Sequence, residues 1–361
     1  MIRLVPRTRP SLLLQAGTSV LAVLLTLLFG MIMFALLGNP PFEVLSVFLT
    51  SPLSSLFDIS DLLVKAGPLI LIALGLAVGY RANIWNIGAE GQFLLGSIFG
   101  MGAVLALGNP ATIWAVPVVL IAGAIGGMLW AAIPAALRTA FNASELLTSL
   151  MLVYVAQQLL YFMVNQVWKN PLSFGWPETV ELHEALQLQA LVDGTNIHAG
   201  LIVVVTIAAV LAILTFRTTF GYRMRMAELT PKALRFAGFG EKATIWISLL
   251  LSGGLAGLAG AIELSATFEK LNDQFSLGYG FTAIIVAFLG RLNPIGIVLG
   301  GLLVGFTFVG GDWIRVSHGI NDAAADVFQA SLLFFVLACD LITRYRVQWV
   351  RHGHQTRVPA E

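Results

Sequence analysis

The chain has 361 residues, 58% of them hydrophobic and only 11% charged, with a formal net charge of +1; its mean hydropathy is +0.87. A soluble globular domain is about a quarter charged, so this composition excludes a chain that coats itself with polar surface in water. The lone Cys339 excludes a disulfide framework or a cysteine metal cluster and reads as a small core residue.

Apolar runs of spanning length predict about ten transmembrane helices, at 16–38, 62–80, 90–108, 112–135, 145–166, 199–216, 244–263, 280–291, 295–311 and 327–343. The expectation is an all-α polytopic membrane protein forming one membrane domain over 1–361. Ten spans of about 20 residues use roughly 200, which leaves room for loops and no soluble domain. Arg3, Arg7 and Arg9 precede the first run, which is longer than a signal-peptide core and lacks an obvious small-x-small cleavage site, so a retained span is expected. The stretch 42–57 is mildly amphipathic and is expected on the outer interface.

Between the second and third runs lies Asn83-Ile-Trp-Asn86-Ile-Gly-Ala-Glu90-Gly-Gln92, a polar stretch interrupted by Gly88 and Gly91. Lipid does not tolerate exposed irregular backbone, so this segment either lines a cavity, is buried in protein, or forms a cytoplasmic turn in water. A carboxylate at membrane depth needs solvation or a partner. Glu90 is thus a functional group or the cap of a helix start, and Asn83, Asn86, Glu90 and Gln92 are the candidate translocation-path residues.

Further along, Gly123/Gly127, Gly253/Gly257 and Gly301/Gly305 are small-xxx-small pairs, read as packing devices. The loop 167–198 carries Trp168, Trp176, Glu178, Glu181, Glu184 and Asp193. The loop 217–243 is basic, with Pro231 suited to the first turn of a short helix. Small and aromatic residues at helical spacing there (Ala233, Phe236, Ala237) suggest a face that docks into a partner's groove.

Lysine and arginine set the orientation. With both termini cytoplasmic, 16 basic residues fall inside and 4 (Lys65, Lys169, Lys270 and Arg315) outside, as the positive-inside rule requires. The loop 167–198 is then external and 217–243 cytoplasmic. A glycine-rich helix leading into 79–88 is echoed at 280–296, where a short span breaks at Arg291-Leu-Asn293. Broken helices at corresponding positions of two pseudo-repeated halves point to a transport path.

Enzymatic chemistry is poorly supplied. His183, His198, His318, His352 and His354 fall in loops and the tail without a metal-ligand pattern, so no metal or cofactor is expected. No Gly-x-Ser-x-Gly elbow occurs. No lysine precedes serine or threonine, which rules out a Walker A loop; a transporter driven by ATP would need its motor on another chain.

The stretch Thr219 to Gly238 resembles the cytoplasmic coupling segment of permeases in the branched-chain amino acid, ribose and simple-sugar group of ABC importers. Gly221, Arg225, Ala233 and Gly238 match its pattern; Met226, Glu228 and Thr230 depart from it. SGGLAGLAGAIEL (252–264) and AFLGRLNPIGIVLGGLL (287–303) resemble the family's second half, and NIGAEGQ (86–92) with NASELLTSLMLVY (142–154) resembles its nucleoside-type branch. The resemblance implies a permease subunit in the bacterial cytoplasmic membrane, importing a small polar solute such as a nucleoside, a simple sugar or a branched-chain amino acid. It also implies an ATPase partner at Gly221, Arg223, Arg225, Ala233 and Gly238, a second permease (identical or not) and an extracytoplasmic binding protein, with no nucleic-acid polymer. Two rivals are weighed against it. An ion-coupled secondary transporter needs an intramembrane titratable cluster, for which only Glu90, Glu263 and Asp340 offer themselves. A lipid-processing enzyme needs paired acids or a metal motif.

Overall fold

The computed structural model describes residues 2–6, 12–229, 231–275 and 278–349. Thirteen helices run along it: α1 Leu12–Leu36, α2 Pro41–Thr50, α3 Leu56–Arg81, α4 Ala89–Ala106, α5 Val116–Phe141, α6 Glu145–Phe162, α7 Ala199–Arg217, α8 Thr219–Leu229, α9 Pro231–Phe236, α10 Glu241–Glu263, α11 Tyr279–Leu289, α12 Pro294–His318 and α13 Asp322–Arg344. Among the described residues seven helices are long and apolar enough to cross a membrane: α3, α4, α5, α6, α7, α10 and α12. The remaining three expected spans, the first, eighth and tenth, are also helical, with shorter apolar stretches at Val20–Leu36, Tyr279–Leu289 and Ala323–Cys339. The fold is helical, with one addition that apolar periodicity could not announce: an antiparallel ladder pairing β1 (Ile2–Pro6) with β2 (Tyr345–Trp349). Cys339 is buried, as its apolar surroundings suggested, and Asp340's side chain lies outside the described ones.

The chain divides into two compact units, at Leu49/Thr50 and at Gly310/Gly311. The unit formed by the two ends of the chain packs α1 against α13. Its centre is aromatic: Phe328 meets Phe34 at 5.2 Å and Phe48 at 4.8 Å between ring centroids, and Gly30 leaves the room for Phe328 to approach.

The larger unit is built around α3, α4, α5 and α10. Nineteen of the 26 residues of α3 are buried, so this helix is apolar all round because protein surrounds it. Close approach of backbones, rather than interlocking large side chains, joins the others. A Cβ on Gly127 would lie 2.1 Å from the Gly253 carbonyl oxygen, and one on Gly257 would lie 2.3 Å from that of Gly123. The paired glycines of α5 and α10 thus meet each other, which is how small residues gain dispersion contact where lipid offers no hydrophobic drive. The third pair, Gly301 and Gly305, sets α12 against Ile70 and Leu62 of α3.

The end of this unit carrying 167–198 will be termed the acidic end, and the end carrying 217–243 the basic end. At the acidic end α6 and α10 each finish in a turn of π-helix, Met163–Val167 and Leu264–Phe268. After the second, the chain turns back as an irregular segment, Glu269–Phe275, with Leu271 and Phe275 fully buried. Buried irregular backbone survives only if its polar groups are matched, and the acidic loop matches several of them. Thr179 N–H donates to Leu271 O (2.9 Å), Leu271 N–H donates to Thr179 Oγ1 (3.0 Å), and Leu182 N–H donates to Glu269 O (2.8 Å). Lys270 pairs with Glu178 at 2.8 Å. His198, buried at the start of α7, accepts the Gly200 N–H on Nδ1 (3.2 Å), and burial lowers its pKa from 6.5.

Two outcomes are expected. Gly127→Val and Gly257→Val each force α5 from α10 and abolish recovery of monodisperse protein in detergent, whereas Gly17→Ala, in open space, leaves the yield unchanged. Because folding holds His198 neutral, its stabilising cap is complete above pH 6.5 and is lost as pH falls through the lower folded value. The melting temperature of the wild type should therefore drop between pH 7 and 5, and His198→Asn, which keeps a capping acceptor without titrating, should flatten that slope.

Candidate functional site

The polar stretch after α3 is irregular backbone packed against side chains from distant elements. α3 stops because Asn83 enters the left-handed region (φ 56°), the Ala82 N–H folds back onto Gly79 O, and a free turn runs to Gly88 before α4 begins. Several polar groups of this break find partners on other helices. Trp85 N–H donates to Glu145 Oε1 (3.2 Å) and Ile87 N–H donates to Ser149 Oγ (3.1 Å), both on α6. Tyr80 Oη donates to Asn86 O (2.8 Å). The Asn86 amide donates to Gln92 Oε1 (2.8 Å) and to Ser252 Oγ of α10 (2.9 Å), and Asn86 Oδ1 accepts from Gly88 N–H (3.0 Å) and from Gln92 Nε2 (3.2 Å). Asn86 and Gln92 are each 1% exposed, so their amides form a closed network.

Glu90 is fully buried and serves a helix other than its own. Its carboxylate accepts Gly278 N–H on Oε1 (3.1 Å) and Gly280 N–H on Oε2 (2.6 Å). These donors belong to the first turn of α11, where unpaired N–H groups and the helix dipole favour a negative charge. Gly280 lets the two chains approach: a Cβ there would sit 2.2 Å from Glu90 N. The first turn of α11 is therefore level with the first turn of α4. From there α11 runs back toward the basic end, where Phe288 stacks on Tyr80 and Trp85 (5.3 and 6.0 Å). The eighth span is short for this reason: the irregular Glu269–Phe275 covers its first half and an 11-residue helix its second. Arg291 and Leu292 (φ 53° and 56°) then turn the chain into α12, as Asn83 turns it into α4.

The structure thus brings Asn86, Glu90 and Gln92 together in the interior and leaves Asn83 apart. Asn83 is exposed at the basic end and its Nδ2 donates to Glu228 O of α8 (3.1 Å).

The basic loop is a helical hairpin, α8 and α9, rather than a turn followed by one short helix. Gly221 is required where α7 folds onto α8, because a Cβ would lie 1.9 Å from Thr215 O. Met224 and Ala227 enter an apolar cluster with Val78, Ala82, Ile84, Ala135, Ile245 and Leu249, which seats α8 on the ends of α3, α5 and α10. Arg223 fastens the other edge: Nε donates to Thr244 Oγ1 (2.9 Å), and the guanidinium lies 5.5 Å from the Phe239 ring centroid. Burial lowers its pKa. Arg225 is exposed, and Gly238 (φ 82°) ends the hairpin in the left-handed region. The side chains of Lys232 and Ala233, and Thr230 altogether, lie outside the described residues. Tyr222, Leu229 and Phe236 point away from the bundle, Phe236 at 92% exposure.

Glu145, Ser149 and Ser252 were missed from the sequence. Glu145, which also pairs with Arg138, resembles an ordinary first-turn helix acid, and nothing local marks it as the partner of residue 85. Among the described residues no group of histidine, cysteine, aspartate or glutamate could hold a metal.

Residues 58–337 match the family described as branched-chain amino acid transport system / permease component, and the chain belongs to that family. It is 32% identical to a glucose ABC transporter permease of Haloferax volcanii over 96% of this chain and 93% of that one. It is 31% identical to a nucleoside ABC transporter permease of Lactococcus lactis (88% and 90% covered) and 29% identical to a guanosine ABC transporter permease of Bacillus subtilis (88% and 91%). The protein is a multi-pass membrane permease subunit of an ABC transporter, not an enzyme.

Removing a carboxylate that answers two buried N–H groups costs about 3 kcal/mol. Glu90→Ala is accordingly expected to lower the melting temperature in detergent by several degrees. Glu90→Gln, which keeps an acceptor but loses the charge, should fall between it and the wild type.

Proposed function

We propose that this permease imports nucleosides across the cytoplasmic membrane, with its solute path gated by the α3–α4 break and driven through α8–α9. Ten spans cross the membrane, with both termini and the α8–α9 hairpin cytoplasmic. The ladder joining β1 to β2 supports an even count, since it sets the two ends of the chain side by side, and the charge asymmetry supports the orientation. The two halves are pseudo-repeated about the breaks at 82–88 and 290–293. Separate ATPase subunits bind the hairpin, a second permease completes the path, and an extracytoplasmic binding protein delivers the solute.

The observation that carries this reading is the two-sidedness of α8–α9. One side is embedded in the bundle through Met224, Ala227 and Arg223, and the other presents Tyr222, Leu229, Arg225 and Phe236. An exposed aromatic on a short helix at the basic end is a knob for a partner's groove. A pull on it reaches the break directly, through the Asn83–Glu228 hydrogen bond and through the cluster shared with Val78, Ala82 and Ile84. From the break it passes to α6 by Trp85–Glu145 and Ile87–Ser149, and to α11 by Glu90. Asn83, Asn86, Glu90 and Gln92 serve the translocation path by holding its wall in register.

Nucleosides are the favoured cargo because the segments 86–92 and 142–154 follow the nucleoside-type pattern and two of the relatives carry nucleosides or guanosine. A simple sugar is the second reading, favoured by the Haloferax relative.

In reconstituted vesicles, Arg225→Ala and Gly238→Val are expected to insert normally but to lower uptake per ATP hydrolysed; wild-type coupling in both would contradict the hairpin's role. Competition against labelled guanosine should be strong with nucleosides and weak with ribose, glucose or leucine. Preferential displacement by glucose would move the assignment to sugars.

A further inference from the structure

The least buried membrane-length helices of the larger unit, α5, α6 and α7, show apolar residues outward. On α7 the exposed large residues include Ile202, Val205, Val210 and Ile213, and on α5 they include Ile121, Ile125, Leu129 and Ile133. α6 differs in showing polar side chains as well. Its buried stripe is Glu145, Ser149, Val153, Ala156 and Leu160. Directly opposite, at spacings of four and three residues, lie Tyr154, Gln158 and Tyr161, with the tyrosines 58% and 56% exposed and Gln158 exposed too. Gln157 flanks them. A glutamine amide in hydrocarbon without a partner costs several kcal/mol, so the part of this face carrying Gln157 and Gln158 is not a lipid face.

It borders an open cleft of about 380 Å³ lined by Gln157, Gln158, Leu160, Tyr161 and Asp273. Asp273 belongs to Glu269–Phe275, the irregular segment whose continuation, α11, is capped by Glu90. The cleft therefore has one wall on a helix anchored to the α3–α4 break and another on a segment leading to the helix that the break also holds. Its chemistry is also specific: the flat phenol ring of Tyr161, amides that both donate and accept, and one carboxylate, with no basic group among the lining residues.

We propose that the outward face of α6 is the solute-binding wall of the translocation path, with Tyr161 stacking on a planar heterocycle while Gln157, Gln158 and Asp273 hydrogen-bond its ring N–H groups and hydroxyls. The ligand class is a neutral nucleoside whose base carries N–H donors; an anionic nucleotide is repelled by Asp273. This deepens the importer reading and rests on it.

Cys339, the only cysteine and buried, makes the test clean. In a Cys339→Ser parent, Gln158→Cys, Tyr161→Cys and Val155→Cys are each reconstituted with the complete importer and treated with a charged, membrane-impermeant methanethiosulfonate reagent. Positions 158 and 161 are expected to react and lose uptake, with saturating guanosine slowing their modification roughly tenfold, as occupancy above 90% would. Val155, exposed on the adjoining apolar face, should stay unreacted. The proposal is overturned if 158 and 161 react at rates that guanosine does not change, if they are as inert as 155, or if 158 crosslinks to the second permease, which would make the face a sealed subunit contact. Protection by glucose instead of guanosine overturns the heterocycle assignment alone. Absence of ATP-dependent uptake in the parent, with the complex intact, would instead sink the importer reading itself.

Discussion

A helix broken inside a membrane must find partners for every backbone group it frees, because lipid supplies none. The interruption between α3 and α4 makes that demand, and the answer to it fixes much of the larger unit. Glu145 and Ser149 tie the break to α6, Ser252 ties it to α10 through Asn86, and Asn83 ties it to α8. Elements far apart in sequence share one small polar centre. A displacement of any of them must either carry the others along or leave buried donors unmatched, at about 1–3 kcal/mol for each. Such a centre suits a machine that changes between a few discrete arrangements.

Glu90 extends the same logic to the second half of the chain. Its carboxylate reaches across 188 residues of sequence to the start of α11 and stands in for the preceding helical turn that α11 lacks. That substitution lets Glu269–Phe275 remain irregular at depth, with the acidic loop supplying its remaining partners. A half-helix capped by a buried side chain is easier to displace than a continuous span, because its N-terminal end is held by two hydrogen bonds rather than by covalent helix.

Much of this was legible in the sequence. Apolar runs long enough to span gave helices at every expected interval, because hydropathy over twenty residues is set by the bilayer and not by tertiary detail. The glycine pairs of α5 and α10 were legible as packing devices from spacing alone. The 217–243 loop was readable as carrying a short helix after Pro231, although the helix before it, α8, was not separated from the turn. Three features were not legible. The partner of Glu90 is invisible locally, since a glutamate in a first helical turn reads equally as a cap for its own helix. The irregular first half of the eighth span carries no period to detect. The pairing of β1 with β2 joins the two ends of the chain, and such separation leaves no mark in a window of ten or twenty residues.

The proposed function requires that the α3–α4 break transmit ATP-driven movement from the α8–α9 hairpin to the solute path. Its most direct test is the ratio of solute taken up to ATP hydrolysed in reconstituted importer carrying Asn86→Ala, alongside a check that all subunits still copurify. The account predicts an assembled complex that hydrolyses ATP yet moves several-fold less solute per ATP than the wild type. An assembled complex with an unchanged ratio would contradict it.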